Sequence, residues 1–212
     1  MHTEVFPPRP KVTVPPGVLD RLDAEGRHIA QPKFEESRAL FRIPKGKKEV
    51  IFSSRHGKSH RKTKLSAKVI AEILALPGLP DDKEVLLDGG VFIRTPAEDT
   101  KGKVVFFDIL HYDKYLFRRL DQMARLKLLD EICGSPRELD PWRGMAYRIS
   151  DNLLLSPYYE TGFLELFNKV YGPEVEGVLL RKRESFIDNF GEKEYEVDWM
   201  VRCRHPSHHS RF

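Results

Sequence analysis

The chain has 212 residues, 40% of them hydrophobic, and carries 36 Lys+Arg against 32 Asp+Glu for a formal net charge of +4. That length supports one substantial core and argues against two ordinary domains, and so small a charge excess excludes reading a polyanionic partner from the total alone. Cys133 and Cys203 lack the spacing of a disulfide framework, and neither an apolar leader nor an apolar run of about 18 residues occurs, so a soluble cytoplasmic protein without membrane contact is expected.

Residues 1–17 hold five of the fifteen prolines. Their fixed φ and missing amide donors predict an extended arm rather than a packed element. The folded body is expected over 18–204, with 205–212 as a tail. Short apolar or β-rich runs at 50–53, 84–93, 103–110, 177–181 and 197–204 read as strands. Residues 64–76 read as a helix stopped by Pro77. Residues 120–132 place Leu120, Ala124, Leu128 and Ile132 four apart, and 161–171 place Phe163, Leu166, Phe167 and Val170 on one face, so both read as amphipathic helices. The mixed order predicts an α+β domain of antiparallel sheets flanked by helices rather than a doubly wound parallel fold.

The segment Gln31-Pro-Lys33-Phe-Glu35-Glu36-Ser-Arg38 sets a lysine beside acids and an arginine. A lysine attacks phosphorus only as the neutral amine, so a nucleophilic lysine needs burial or nearby cations. Taken alone, the segment reads better as a surface ion-pair cluster, since short Lys/Glu/Arg combinations are common in any charged protein. Further on come Ser54-Arg55-His56-Gly57-Lys58, Leu87-Asp88-Gly89-Gly90, Phe106-Phe107-Asp108-Ile109-Leu110, Glu176-Gly177-Val178-Leu179-Leu180-Arg181 and Trp199-Met200-Val201-Arg202-Cys203-Arg204. The order from Gln31 to Arg204 resembles the covalent nucleotidyltransferase superfamily of ATP-dependent DNA and RNA ligases and mRNA capping enzymes. Lys33 matches the lysine of its K-x-D-G motif, with Glu35 and Glu36 in place of Asp and Gly. Residues 54–58 match S-R-N-G-K at all but one position, and 176–181 resemble E-G-V-V-x-K. Residues 87–90 resemble L-D-G-E with Gly90 in place of the acid, and 106–110 resemble F-D-x-L. Arg202 and Arg204 stand where the final strand carries two lysines.

The resemblance implies an adenylation domain that uses ATP and Mg2+ (or Mn2+), the choice of ATP over GTP resting on the resemblance alone. Lys33 is then the nucleophile, and Gln31, Arg38, Arg55, Asp88, Phe107, Glu176, Arg181, Arg202 and Arg204 bind nucleotide. Phe107 is the ring that stacks on the base, while Phe106, facing the opposite way on a strand, belongs to the core. Glu176 is the metal candidate, since carboxylate oxygens suit Mg2+. Arg38, Arg55, Arg181, Arg202 and Arg204 are expected to form a cationic wall around the phosphates.

The implied reaction runs from lysyl-AMP through AMP transfer onto a 5′-phosphate to sealing by a 3′-hydroxyl, on RNA or DNA ends. Arg55, Lys58, Arg61 and Lys62 form the basic stretch expected to meet nucleic acid. Eight residues follow Arg204, too few for an oligonucleotide-binding barrel, which favours a phage-type RNA ligase, in which case the compartment is the host cytoplasm. The alternatives are a minimal DNA nick ligase, with room for a protein partner, and a noncatalytic nucleic-acid-binding module whose site has decayed. Cys203, His205, His208 and His209 lie close enough in sequence to suggest zinc, but no second cluster completes a tetrahedral site, and a His-rich tail is expected.

Overall fold

The structure, a computed structural model, describes residues 6–58, 63–95, 97–113, 120–135, 140–170, 172–187 and 195–206. Eleven strands among them form two sheets. The first has the order β1 (Arg9–Thr13), β11 (Glu196–Arg204), β10 (Val175–Lys182), β2 (His28–Phe34). The second has the order β4 (Ile51–Ser54), β3 (Ser37–Ile43), β5 (Val85–Val91), β6 (Val104–Tyr112), β9 (Leu153–Leu155), β8 (Ala146–Arg148), β7 (Asp140–Trp142). Pairing is antiparallel except between β1 and β11 and between β6 and β9. This is the expected α+β architecture.

The sheets are held by two large apolar clusters. On β3, alternation sends Ala39, Phe41 and Ile43 to one face, where they meet Val85, Leu87 and Val91 of β5. Helices α2 (Ala67–Leu74) and α3 (Gln122–Cys133) cover that face through Val69, Ile73, Leu129 and Ile132. Ser66 caps α2 by accepting a hydrogen bond from Val69 N at 3.2 Å, and Asp121 caps α3 by accepting from Ala124 N at 2.8 Å. The second cluster joins the first sheet to helices α1 (Leu19–Ala24) and α4 (Phe163–Lys169), and through Phe92, Val105 and Leu154 to the second sheet. The four apolar residues expected on one face of α4 are all buried there.

Three features depart from expectation. The proline-rich arm is extended but packed: β1 runs parallel to β11 with Arg9 opposite Glu196, and Phe6 is 1% exposed. Burial of that ring stabilises by roughly 1.5–3 kcal/mol, enough to hold the segment down. The buried face of α3 is Gln122, Arg125, Leu126, Leu129, Ile132 and Cys133, not the row through Leu120, Ala124 and Leu128. Polar Gln122 and Arg125 hide this stripe, because they are buried against Asp108 rather than against apolar groups. His205, assigned to the tail, is buried and stacks on Phe167 at 4.0 Å between ring centres; His208 and His209 lie outside the described residues. No helix among the described residues is long and apolar enough to cross a membrane.

Candidate active site

A cavity of about 600 Å³ opens between the sheets, lined by Lys33, Glu176 and Arg204 from the first and by Arg38, Arg55 and Phe107 from the second. Two β-bulges shape it. The β2–β10 ladder pairs Val175 with Phe34 and Gly177 with Lys33, which leaves Glu176 as an extra residue. The β5–β6 ladder pairs Asp88 with Asp108 and Gly89 with Phe106, which leaves Phe107 extra. A bulge re-aims a side chain that strict alternation would direct elsewhere, and here both extra residues line the cavity. Gly177 has φ +144, and a Cβ there would collide with the Cys203 carbonyl oxygen, so the bulge beside Glu176 requires glycine.

At one end, Lys33 Nζ lies 2.6 Å and Arg204 Nε 2.8 Å from the same oxygen, Glu176 Oε2. The Lys33 and Glu176 side chains remain 20% and 18% exposed. Arg202 Nε donates to Thr13 Oγ1 at 2.7 Å. Burial, then the nearby Arg204 and Arg9, pull the Arg202 guanidinium below its ordinary value, a crowding of like charge that an anionic ligand would relieve. Arg55 reaches the cavity from the turn after β4, where Ser54 N donates to Lys58 O at 2.8 Å.

At the other end, Arg38 and Arg181 both approach the Phe107 ring, with guanidinium carbons 5.6 and 5.9 Å from its centre. Arg38 donates through Nε and Nη2 to the two Asp88 oxygens at 3.0 and 2.5 Å, and through Nη1 to Pro8 O at 2.9 Å. Arg181, 1% exposed, donates to Gln31 Oε1 at 2.6 Å and to Phe107 O at 3.1 Å. Gln31 Nε2 donates to the same carbonyl at 3.3 Å. Asp108 Oδ2 lies 3.6 Å from Arg181 Nη1, and Asp108 Oδ1 accepts from Arg125 Nε at 3.1 Å. Burial would raise the Asp108 carboxyl, but Arg125 and Arg181 outweigh it and hold the group below its ordinary value. Burial does raise Asp88, against the pull of Arg38.

Nine residues singled out from sequence therefore converge on the cavity: Gln31, Lys33, Arg38, Arg55, Phe107, Glu176, Arg181, Arg202 and Arg204. Asp88 lies behind the wall, bonded to Arg38, and Phe106 is core. Lys58 is exposed and outside the lining, and Arg61 and Lys62 lie outside the described residues. The expected single wall of five arginines is divided, because Arg38 and Arg181 are engaged by buried aspartates. Sequence reasoning missed Arg9 and Pro10 on β1, Glu36 on the β2–β3 turn, and Arg125, which anchors Asp108. The Arg9 contribution had no sequence signal, since nothing local says the arm returns to β11. Glu36 had one: it occupies a motif position where glycine was expected.

Glu176 meets both of its cationic neighbours through Oε2, and among the described residues no group of three or more His, Cys, Asp or Glu gathers as a metal site. A divalent cation held there would have one carboxylate and would take its remaining oxygens from phosphate and water, a pattern open to Mg2+.

No protein-family model matches the chain, and no curated protein matches it in sequence. Solved structures do match. The ligase domain of M. tuberculosis LigD is 18% identical with a TM-score of 0.59, over 92% of this chain and 59% of that one. A mycobacterial DNA ligase D complexed with ATP and MES gives 18% identity and a TM-score of 0.58, over 92% of this chain and 60% of that one. A Lig E DNA ligase, described as binding DNA with a minimal scaffold, gives 12% and 0.50, over 85% of this chain and 62% of that one. The chain thus spans about three fifths of the length of these structures, and its fold is that of the catalytic nucleotidyltransferase domains of ATP-dependent DNA ligases.

Proposed function

We propose that the chain is the nucleotidyltransferase of an ATP-dependent polynucleotide ligase, with Lys33 as the nucleophile. The observation that carries this reading is the arrival of Lys33, Glu176, Arg202 and Arg204 at one end of a cavity whose other end presents the Phe107 ring beside two fixed guanidiniums. A base stacked on Phe107 directs its phosphates toward Lys33. Nζ attacks the α-phosphorus, the bond to the bridging oxygen of pyrophosphate breaks, and Glu176 Oε2 at 2.6 Å is within reach of the proton that Nζ sheds. Arg55, Arg202 and Arg204 take up charge on the nonbridging and leaving oxygens. Glu176 is the residue that would hold Mg2+ or Mn2+, which supplies further neutralisation of the phosphates.

Discharge of the lysyl-AMP onto a 5′-phosphate and sealing by a 3′-hydroxyl complete the reading, with Arg55 in the cavity lining and the exposed Lys58 on the same turn available to the nucleic-acid backbone. The fold neighbours are DNA ligases, one of them of minimal scaffold, which favours nicked DNA over the RNA ends preferred from sequence.

The test is incubation with Mg2+ and ATP labelled at the α-phosphate, followed by denaturing electrophoresis and intact mass. An acid-labile AMP adduct, absent from a folded Lys33→Ala variant, is expected; an adduct of equal yield in that variant removes Lys33 from the role. Nicked DNA and single-stranded RNA offered to the adduct then separate the two substrates. No adduct with ATP or GTP, from protein verified free of bound AMP, returns the chain to a noncatalytic binding module.

A further inference from the structure

Two departures from the ligase motifs look independent in sequence. Glu36 stands where glycine is expected after the lysine, and Gly90 stands where an acid is expected after Leu87-Asp88-Gly89. In three dimensions they are one feature. Ser37 pairs with Val91 and Arg38 with Gly90 across β3 and β5, which brings the turn carrying Glu36 over Gly90. A Cβ at Gly90 would fall 2.7 Å from Glu36 Cβ and 2.8 Å from its Cδ, and closer still to its Cγ. All three of the nearest atoms belong to that one side chain. Gly90 is not among the glycines with positive φ, so its backbone does not demand glycine. The Glu36 side chain does.

We propose that Glu36 is the ribose-binding acid of this site, an acid carried on the β2–β3 turn in exchange for the side chain missing at Gly90. The identification rests on the nucleotidyltransferase reading above. Glu36 lines the cavity from the turn between β2, which carries Lys33, and β3, which carries the Arg38 that lies against Phe107, and so stands between nucleophile and aromatic platform. Among the described residues no cation stands within ion-pair distance of it. An unpaired acid repels phosphate, so the part of a nucleotide it suits is one that donates hydrogen bonds. Between base and α-phosphate that part is the ribose, whose adjacent hydroxyls offer two donors to one carboxylate. Burial raises the Glu36 carboxyl, against the pull of Lys33 and Arg38.

The experiment compares wild type, Glu36→Gly, Glu36→Gln, Gly90→Glu and the double exchange Glu36→Gly/Gly90→Glu. Two ratios are read, AMP-adduct formation from ATP against 2′-deoxy-ATP, and equilibrium binding of the same two nucleotides. Wild type is expected to favour ATP by roughly tenfold or more in both, the single Glu36 variants to bring the ratios close to one, and the double exchange to restore them. Gly90→Glu alone is expected to melt lower than wild type and the double exchange to recover that loss. An unchanged ratio in Glu36→Gln, or a Gly90→Glu protein as stable as wild type, overturns the proposal. A wild type that binds ATP without forming an adduct defeats the nucleotidyltransferase reading while the binding ratio still judges Glu36; failure to bind either nucleotide defeats both.

Discussion

At the Phe107 end of the cavity the charges are answered inside the protein, Arg38 by Asp88 and Arg181 by Asp108 and Gln31, with Asp108 itself gripped by Arg125 from α3. At the Lys33 end the Glu176 carboxylate faces both Lys33 and Arg204, while Arg202 and Arg55 add positive charge to the same cavity. The first end is finished when the chain folds, and the second is left in cationic excess for a ligand to complete. Burial separates them: Arg181 is 1% exposed, whereas Lys33 keeps 20% of its side chain in solvent. Substitutions at the first end should therefore register in stability and those at the second in activity.

The sharpest break is Asp108→Ala. It strands two buried guanidiniums and should lower unfolding stability by about 3–5 kcal/mol in urea titrations, with loss of nucleotide binding as a consequence. Because the Asp108 carboxyl is held below its ordinary value, its contribution is present at neutral pH and is lost as pH falls through that lowered value, so the variant and wild type should converge in acid. Glu176→Ala should invert the pattern: stability within about 1 kcal/mol of wild type, since the pair is partly solvated, but adduct formation slower by roughly a hundredfold. An equal loss of stability from both variants would erase the distinction between the ends.

Phe107→Ala should weaken ATP binding by about 1–3 kcal/mol while leaving the rate from the saturated complex less affected, and Phe107→Trp should preserve binding. The smallest effect serves as a control away from both ends. Burial and then Glu131 raise the Asp130 carboxyl to about 6, so its stabilising contribution is complete below the ordinary aspartate range and is lost as pH rises through 6. Asp130→Asn should then be slightly more stable than wild type at pH 8, by less than about 1 kcal/mol given its solvent exposure, and no more stable at pH 4.

The division between the ends also marks what the sequence could tell. Runs such as Val104–Tyr112 and Glu196–Arg204 are apolar and β-branched enough to read as strands, and Phe163, Leu166, Phe167 and Val170 carry their period openly. β2 and β3 escaped, because Pro32, Lys33 and two glutamates interrupt the pattern where the chemistry is. Only Ala39, Phe41 and Ile43 offered a period-two signal there. The bulges at Phe107 and Glu176 break periodicity by their nature, so motif spacing found those residues while strand alternation could not say how they are aimed. The Asp108–Arg125 bridge was illegible, because a buried arginine looks in sequence like an exposed one.

The parallel pairing of β1 with β11 sets a timetable. Arg9 lies beside Glu196 and Val12 beside Val201, contacts that span nearly the whole chain, and Pro8 O receives the hydrogen bond that steadies Arg38. Such distant pairings are slow to form and have no local substitute. During synthesis the ribosome releases β1 first and β11 last, so the Lys33 end lacks Arg202 and Arg204 until translation has passed Arg204. Within this domain β1 therefore waits for β11 before it finds its place, and Arg9 and Arg202, which line the same cavity, stay apart until then.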